Sequence, residues 1–91
     1  MQIRYEATAR ADFRNIIAHG VDNHLPDPVA YVHSLRERVM HLADITHPGR
    51  RARVANTREW VLSGTPYIVI FQITDDVVTV LRVLHGARDW P

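Results

Sequence analysis

The hydrophobic period of this sequence changes once, at Gly49, and that change limits the folds available to the chain. Before Gly49, apolar residues recur at helical spacing in two stretches, residues 9–20 and 32–42. After Gly49, short apolar runs are separated by turn residues, as in strands. A chain of 91 residues has room for one domain with one modest core. The two halves must therefore share that core.

The helical half carries recognisable start signals. Residues 2–5 predict a short first strand, after which Thr8 can cap a helix that has Asp12 in its early turns. This helix is expected to end near Asn23. Asp27 followed by Pro28 predicts a second helix start, with aspartate as the cap and proline at the first helical position. The short connection between the helices predicts an antiparallel hairpin. One apolar face is expected on each helix, formed by Ala9, Phe13, Ile16, Ile17 and Gly20 in the first and by Val32, Leu35, Val39 and Leu42 in the second.

The second half predicts four strands, over residues 51–55, 58–62, 67–73 and 77–85. The nearly continuous apolar run 67–73 is typical of a central strand that is buried on both faces. Short turns between the runs favour an antiparallel meander. The order β-α-α-β-β-β-β predicts an α+β fold, in which an N-terminal helical hairpin packs on one face of a small antiparallel β-sheet.

The composition narrows the function. All eleven basic residues are arginine, so no lysine is available as a general acid or base, and there is no cysteine for a disulfide or a thiolate site. The formal net charge of +1 predicts no nucleic-acid partner by itself. We expect a soluble cytoplasmic protein without a membrane segment, because no apolar run approaches spanning length.

Arginines cluster where the period changes. Arg50, Arg51, Arg53 and Arg58 put four positive charges and no acid into nine residues. Strand geometry would place Arg51 and Arg53 on one face. Such a patch suits phosphate or the carboxylates of an acidic partner segment. The alternative is a solvated sheet edge without a partner.

A second group of candidates lies around the last strand. Arg82 interrupts an apolar run, where alternation groups it with Val80 and Leu84, and the face they share should not be wholly covered by the helices. His85 ends the strand and Arg88 follows, so Arg58, Arg82 and Arg88 are expected to converge near one end of the sheet. A purely structural alternative pairs Arg82 and Arg88 with Glu59 and Asp89. Trp90 is expected to pack against the domain.

The six histidines do not predict a metal site. They lack the i, i+4 pairing of a helical zinc site, and no cysteine joins them. His85 is the one histidine placed beside arginines, where it could act as a lone base. No cofactor motif is present, since the four glycines are too scattered to cradle a phosphate.

Three stretches carry a resemblance to a known family. They are Thr57-Arg58-Glu59, Thr65-Pro66-Tyr67-Ile68-Val69 and the closing residues 81–91. Together they resemble the RelE/ParE superfamily of toxins from bacterial type II toxin–antitoxin pairs. The resemblance implies a helical hairpin on an antiparallel sheet, the same fold that the periodicity predicts.

The resemblance implies one of two targets. RelE-like members cleave mRNA on the ribosome with basic residues across the sheet and a Tyr or His near the C-terminus, whereas ParE-like members poison DNA gyrase. Here Ile68 stands where the cleaving branch carries arginine, and no tyrosine follows Arg88. Two glycines common near the second strand in ParE-like members are Ala52 and Asn56 here, and asparagine tolerates the left-handed turn.

These departures favour a ParE-like toxin that acts by binding. The resemblance then implies DNA gyrase as target and a ParD-like antitoxin whose acidic C-terminal segment inhibits the toxin in a hetero-oligomer. Arg51, Arg53, Arg58, Arg82 and Arg88 are the candidate partner contacts. The alternative is a ribosome-dependent mRNA endonuclease that uses His85, Arg82 and Arg88. A third possibility is a toxin fold that has lost toxicity and binds only the antitoxin.

Overall fold

The computed structural model describes residues 1–44, 49–86 and 90. Two helices pack on a five-stranded sheet, which confirms the α+β class. The elements in chain order are β1 (Gln2–Tyr5), α1 (Ala7–Asp22), α2 (Pro28–Met40), a short 3-10 helix (His41–Asp44), β2 (Arg50–Arg51), β3 (Arg58–Val61), β4 (Tyr67–Thr74) and β5 (Val77–His85). The segment 45–48, where the sequence predicts the stop of the second helix, lies outside the described residues, and α2 itself ends at Met40.

The sheet has the strand order β1-β5-β4-β3-β2. Strands β2 to β5 form the expected antiparallel meander. The first strand pairs with β5 in parallel, so the sheet is mixed. The helical hairpin connects β1 to the second half of the chain, and this long excursion allows β1 to join the far edge of the sheet in parallel.

The two helices begin in different ways. The expected Thr8 cap is wrong: Glu6 is the N-cap residue of α1, without a side-chain hydrogen bond, and the Thr8 hydroxyl instead donates to the Leu81 carbonyl at 2.7 Å. The second start is confirmed, because the Asp27 Oδ1 atom accepts from the Ala30 amide at 3.0 Å, with Pro28 at the first position of α2.

The core lies between the helices and one face of the sheet. The apolar stripes predicted from the sequence are the faces that the helices bury, with Phe13 and Ile16 from α1 and Leu35 and Val39 from α2. The strands contribute Val69, Phe71, Val78, Val80 and Val83, among others. We call this the helix face of the sheet. Residues Ile68, Ile70 and Leu84 do not belong to this core and define the opposite, open face.

A bulge in β5 reverses the alternation of its last residues. Phe71 pairs with Val80, whereas the preceding Ile70 pairs with Arg82, which leaves Leu81 as the extra residue. Residues directly opposite one another share a face of the sheet. Arg82 therefore shares the open face with Leu84, as expected, but not with Val80, which lies in the helix-face core. The predicted grouping with Val80 is wrong because alternation cannot account for the extra residue.

Candidate partner-binding surfaces

The arginine-rich segment forms the outer edge of the sheet. β2 comprises Arg50 and Arg51 alone, so the predicted strand 51–55 is too long, and Arg53 lies beyond its end. Val54 and Asn56 belong to the turn that leads into β3, and Asn56 adopts a φ of 64°, the left-handed conformation expected of it. The expectation that Arg51 and Arg53 share a strand face is wrong, because the strand ends between them.

Pairing across β2 and β3 separates the arginines into two groups. Arg50 lies opposite Glu59, which lies opposite Ile70, so this row belongs to the open face. Arg51 lies opposite Arg58, which in turn lies opposite Phe71, so these two arginines project on the helix side. The cluster read from the sequence as one patch is therefore divided between the two faces.

Arg50 is committed to an ion pair. Its Nε atom donates to the Glu59 Oε1 atom at 2.6 Å, and the arginine side chain is largely exposed. An exposed pair of this kind contributes about 0–1 kcal/mol. Glu59 therefore neutralises Arg50. The side chains of Arg51 and Arg53, in contrast, form no ion pair or hydrogen bond within residues 1–44, 49–86 and 90.

A basic concavity lies beside the turn between β2 and β3. It has a volume of about 630 Å³ and is bordered by Arg51 and Arg58, by Asn56 and Thr57 of the turn, and by Ile73 near the end of β4. Thr57 is buried, and its hydroxyl donates to the Val54 carbonyl, which fixes the shape of the turn. Among the described residues, no aspartate or glutamate lines this concavity.

The open face carries a second concavity of about 220 Å³, which is lined by both charged and apolar residues. Ile68, Ile70 and Leu84 form its floor and Trp90 lies against them, as expected for a tryptophan that packs on the domain. Ile70 and Leu84 are 3% and 5% exposed although the helices lie on the other side of the sheet. Arg53 stands at the rim. This surface combines an apolar floor with a positive border.

Arg82 is held by a carboxylate from α1. Its Nε and Nη2 atoms donate to the two oxygens of Asp12 at 2.7 and 2.9 Å, and the Val83 amide donates to Asp12 Oδ2 at 2.9 Å. The hydrogen bonds that Arg82 donates to Asp12 raise the pKa of this arginine above its already high value. Asp12 is 7% exposed. Of the two partners named in the structural alternative, Glu59 pairs with Arg50 instead, and Asp89 lies outside the described residues.

Asp12 is the structural residue that the sequence interpretation missed. The sequence predicts only that Asp12 lies near the start of a helix, where a negative charge is favourable. Its hydrogen-bond partners, Arg82 and the Val83 amide, lie about seventy residues further along the chain. A signal was present. Asp12 falls between Ala9, Phe13 and Ile16 on the apolar stripe of α1, and a charged residue on a buried stripe requires a partner of opposite charge.

The predicted convergence of Arg58, Arg82 and Arg88 at one end of the sheet is not met by the first two. Arg58 and Arg82 lie on the two strands that flank β4, opposite its adjacent residues Phe71 and Ile70, and therefore on different faces. Arg88 lies outside the described residues. The structure brings Arg82 next to Asp12 rather than next to Arg58.

His85 lies at the end of β5 opposite Tyr67. The two rings meet edge to face, with centroids 6.0 Å apart, and His85 is exposed whereas Tyr67 is buried. Burial, and to a lesser extent the neighbouring Tyr31, raises the pKa of the Tyr67 hydroxyl. A tyrosine with a raised pKa stays protonated at neutral pH, so Tyr67 is a poor base there.

His19, His33 and His41 are exposed residues of the helices, His24 is exposed in the turn after α1, and His47 lies outside the described residues. His33 pairs with Glu37 at 3.2 Å and His41 with Asp44 at 3.9 Å, in both cases within one helical stretch. Within residues 1–44, 49–86 and 90, no three histidine, aspartate or glutamate side chains are grouped so as to hold a metal ion. Among the helices described, none is long and apolar enough to span a membrane.

Comparisons with known proteins agree with this architecture. The family model described as "ParE toxin of type II toxin-antitoxin system, parDE" matches residues 3–90. The protein Y4kP of Sinorhizobium fredii, named as a candidate toxin, is 42% identical over 50 residues; the match spans 55% of this chain and 51% of that relative.

Solved structures show the same fold. A chain from the chromosomal ParDE toxin–antitoxin system of P. aeruginosa superimposes with a TM-score of 0.83 at 24% identity, covering 93% of this chain and 95% of that one. A chain of the intact E. coli RelBE toxin–antitoxin complex gives a TM-score of 0.65 at 13% identity, covering 96% and 98% of the two chains.

The family assignment rests on the near-complete match of the family model. A helical hairpin on one face of a meander, with β1 added in parallel, defines the RelE/ParE class of toxin folds to which these structures belong. This chain belongs to the ParE toxin family of type II toxin–antitoxin systems. The predicted family resemblance is confirmed.

Proposed function

We propose that this protein is a cytoplasmic toxin that inhibits DNA gyrase by binding and is neutralised by a cognate ParD-like antitoxin in a hetero-oligomer. The observation that carries the proposal is the match of the ParE toxin family model over residues 3–90. The open face supports it. Where the RNA-cleaving members of the superfamily carry an arginine, this chain has Ile68, which lines the open-face concavity together with Ile70 and Leu84.

The state of Arg82 also favours binding over RNA cleavage. Cleavage requires donors for the phosphate oxygens and a group that accepts the proton of the attacking hydroxyl. Arg82 gives two of its donors to Asp12, and this carboxylate neutralises its charge. An arginine in such a bidentate pair is a weak phosphate ligand, because a phosphate would have to displace a partly buried carboxylate.

We assign the antitoxin contact to the open face. A disordered acidic segment that folds on binding needs apolar surface to bury and positive charge to pair with. Ile68 and Trp90, which are partly exposed, supply the first and Arg53 the second. Arg51, Arg58 and Arg88 remain candidate contacts. The solved relatives described above come from a ParDE system and from an intact RelBE toxin–antitoxin complex, which supports an antitoxin partner.

A supercoiling assay tests the target. Purified toxin, freed of antitoxin, should block supercoiling of relaxed plasmid by gyrase, and an equimolar amount of antitoxin should restore it. Arg53→Glu should weaken antitoxin binding, whereas Arg14→Glu, at an exposed position on α1, should not. Unchanged supercoiling at high excess of correctly folded toxin would exclude gyrase as the target.

The alternative function is a ribosome-dependent mRNA endonuclease. The observation that favours it is the exposed imidazole of His85 beside the open-face concavity. Translating ribosomes incubated with the toxin should then yield cleaved message, and His85→Ala should abolish the cut. Cleavage that persists in His85→Ala would exclude the acid–base role of this residue.

A third possibility is an antitoxin-binding module without toxicity. Expression of the chain alone in the host distinguishes it, because a toxin arrests growth and an inactive module does not. A DNA-damage response would indicate gyrase, and arrested translation would indicate the ribosome.

A further inference from the structure

The basic concavity beside the β2–β3 turn is not used by the antitoxin contact proposed above. Arg51 and Arg58 lie directly opposite each other on neighbouring strands, which places their Cα atoms about 5 Å apart. Like charges in this arrangement repel each other and destabilise the strand pair. The concavity they border holds about 630 Å³, and none of the lining residues that the structure describes carries a carboxylate. The site is therefore electrostatically suited to an anion.

The lining distinguishes this concavity from the open face. The floor of the open-face concavity consists of large apolar side chains. This concavity is lined by the polar residues Asn56 and Thr57 as well as by apolar ones such as Val54 and Ile73. Its described lining holds no carboxylate, whereas Glu59 lines the open-face concavity. Protein partners are anchored by large apolar and aromatic side chains that fill pockets of matching character. Phosphate groups are bound by arginine and by short polar side chains, and Arg51 and the Asn56 amide are groups of this kind at the turn.

We infer that the concavity bordered by Arg51 and Arg58 binds the phosphodiester backbone of nucleic acid without reading its sequence. The Arg51 guanidinium can donate to the oxygens of one phosphate, and Arg58 on the adjacent strand adds positive charge beside it. Arg51 has no carboxylate partner within residues 1–44, 49–86 and 90 that the phosphate would have to displace.

The inference deepens the proposed function, since gyrase works on DNA and a toxin bound to the enzyme would meet the DNA that the enzyme holds. Both interactions would then act on one complex: a protein contact elsewhere on the toxin and a phosphate contact at this turn. The phosphate contact does not require gyrase, so it can be measured with the toxin alone.

Fluorescence anisotropy with a labelled 20-base-pair duplex, roughly two helical turns, measures this contact over a range of salt concentrations. The wild-type toxin should bind with an affinity that falls as salt rises. Arg51→Gln should weaken binding by about tenfold at low salt and should reduce the slope of log K against log salt by about one, because one phosphate contact is lost. Circular dichroism establishes that the variant is folded.

Two matched variants separate a local site from general electrostatics. Arg53→Gln removes the same charge two residues away but at the rim of the other concavity, and Arg14→Gln removes it from the exposed side of α1. Both should stay within about twofold of wild type. Equal losses in all three variants would show unlocalised attraction and would overturn the inference, as would the absence of binding at low salt.

Two further probes identify the chemistry. Single-stranded RNA of the same length should bind with the same dependence on Arg51, because the backbone supplies the contact; binding to RNA alone would overturn the inference. Poly-glutamate at equal charge should compete weakly. Binding of poly-glutamate that depends on Arg51 and exceeds that of DNA would assign the concavity to an acidic peptide instead.

These results are separable from the gyrase assignment. Inhibition of gyrase by a toxin that does not bind DNA would leave the proposed function standing and reject the phosphate site. Arg51-dependent DNA binding by a toxin that leaves supercoiling unchanged would support the site and reject the target.

Discussion

Replacement of Asp12 by asparagine tests the most connected polar group of the fold. The carboxylate accepts two hydrogen bonds from Arg82 and one from the Val83 amide, and its side chain is 8% exposed. Asparagine keeps one acceptor oxygen for Val83 but turns a donor group towards the guanidinium. The variant therefore loses two charge-assisted hydrogen bonds, which contribute about 1.5–3 kcal/mol each.

The size of the stability loss depends on how well water can solvate the Arg82 side chain in the variant. Removal of one partner of a fully buried pair costs about 3–5 kcal/mol, but the Arg82 side chain is 31% exposed and can regain water. We expect Asp12→Asn to lower the free energy of unfolding by about 2–3 kcal/mol. Urea unfolding followed by circular dichroism should show a midpoint about 2 M lower, for a slope of about 1–1.5 kcal/mol/M.

The control lies on the same helix. Asp22 is exposed near the end of α1, and Asp22→Asn should change stability by less than about 0.5 kcal/mol. In the double variant Asp12→Asn with Arg82→Met, the loss should be smaller than the sum of the single losses, because no stranded charge remains. If Asp12→Asn and Asp22→Asn unfolded at the same urea concentration, the pair would not stabilise the fold.

Three further changes test separate features. The hydroxyl of Tyr5 is buried without a hydrogen-bond partner in the part of the chain described, so Tyr5→Phe should leave thermal stability unchanged or raise it by about 1 kcal/mol. Burial raises the pKa of the Tyr5 hydroxyl, and this effect exceeds the opposite effect of nearby Arg36. The stability that depends on the protonated hydroxyl is therefore complete below pH 10 and is lost as the pH rises from there towards the folded-state pKa. Tyr5→Phe should flatten the decline in the free energy of unfolding between about pH 9 and 11. Gly49 has a φ of 69° and its added Cβ would meet the Glu59 carbonyl, so Gly49→Ala should lower the urea midpoint by more than the cost of about 1–2 kcal/mol for the left-handed conformation alone. Asp27→Ala removes the cap of α2 and should cost about 1 kcal/mol in the same measurement, and no loss would indicate that the proline alone sets the helix start.

Local signals in the sequence were sufficient to predict the order of the helices and strands and the buried face of each helix. The alternation and length of residues 77–85 predicted β5 to the residue, and the Asp27 cap forms as expected. These features depend on neighbours within a few positions along the chain. Propensity, capping and hydrophobic period act on that same scale.

The errors arose where distant pairing determines the outcome. Thr8 is not a cap because its hydroxyl bonds to Leu81, and Arg82 changes face because Leu81 is an extra residue in the ladder. Neither contact has a signature near the residue itself. The site was predictable as a set of arginines but not as an arrangement, since the faces of Arg51 and Arg58 follow from the register of β2 and β3.

The side chains of α1 have a consequence for how the free protein behaves at high concentration. β1 accompanies β5 only as far as Val80, so the remainder of the longer strand would present an unprotected border on which a second molecule could stack. Thr8 and Asp12 take up the Leu81 carbonyl and the Val83 amide on that border. Helix α1 thus occupies two hydrogen-bonding positions that a longer β1 would fill. These two backbone groups are then not open to pairing with another copy of the chain in a fibre. Colloidal solubility of the toxin, as well as its stability, is then a property encoded at position 12.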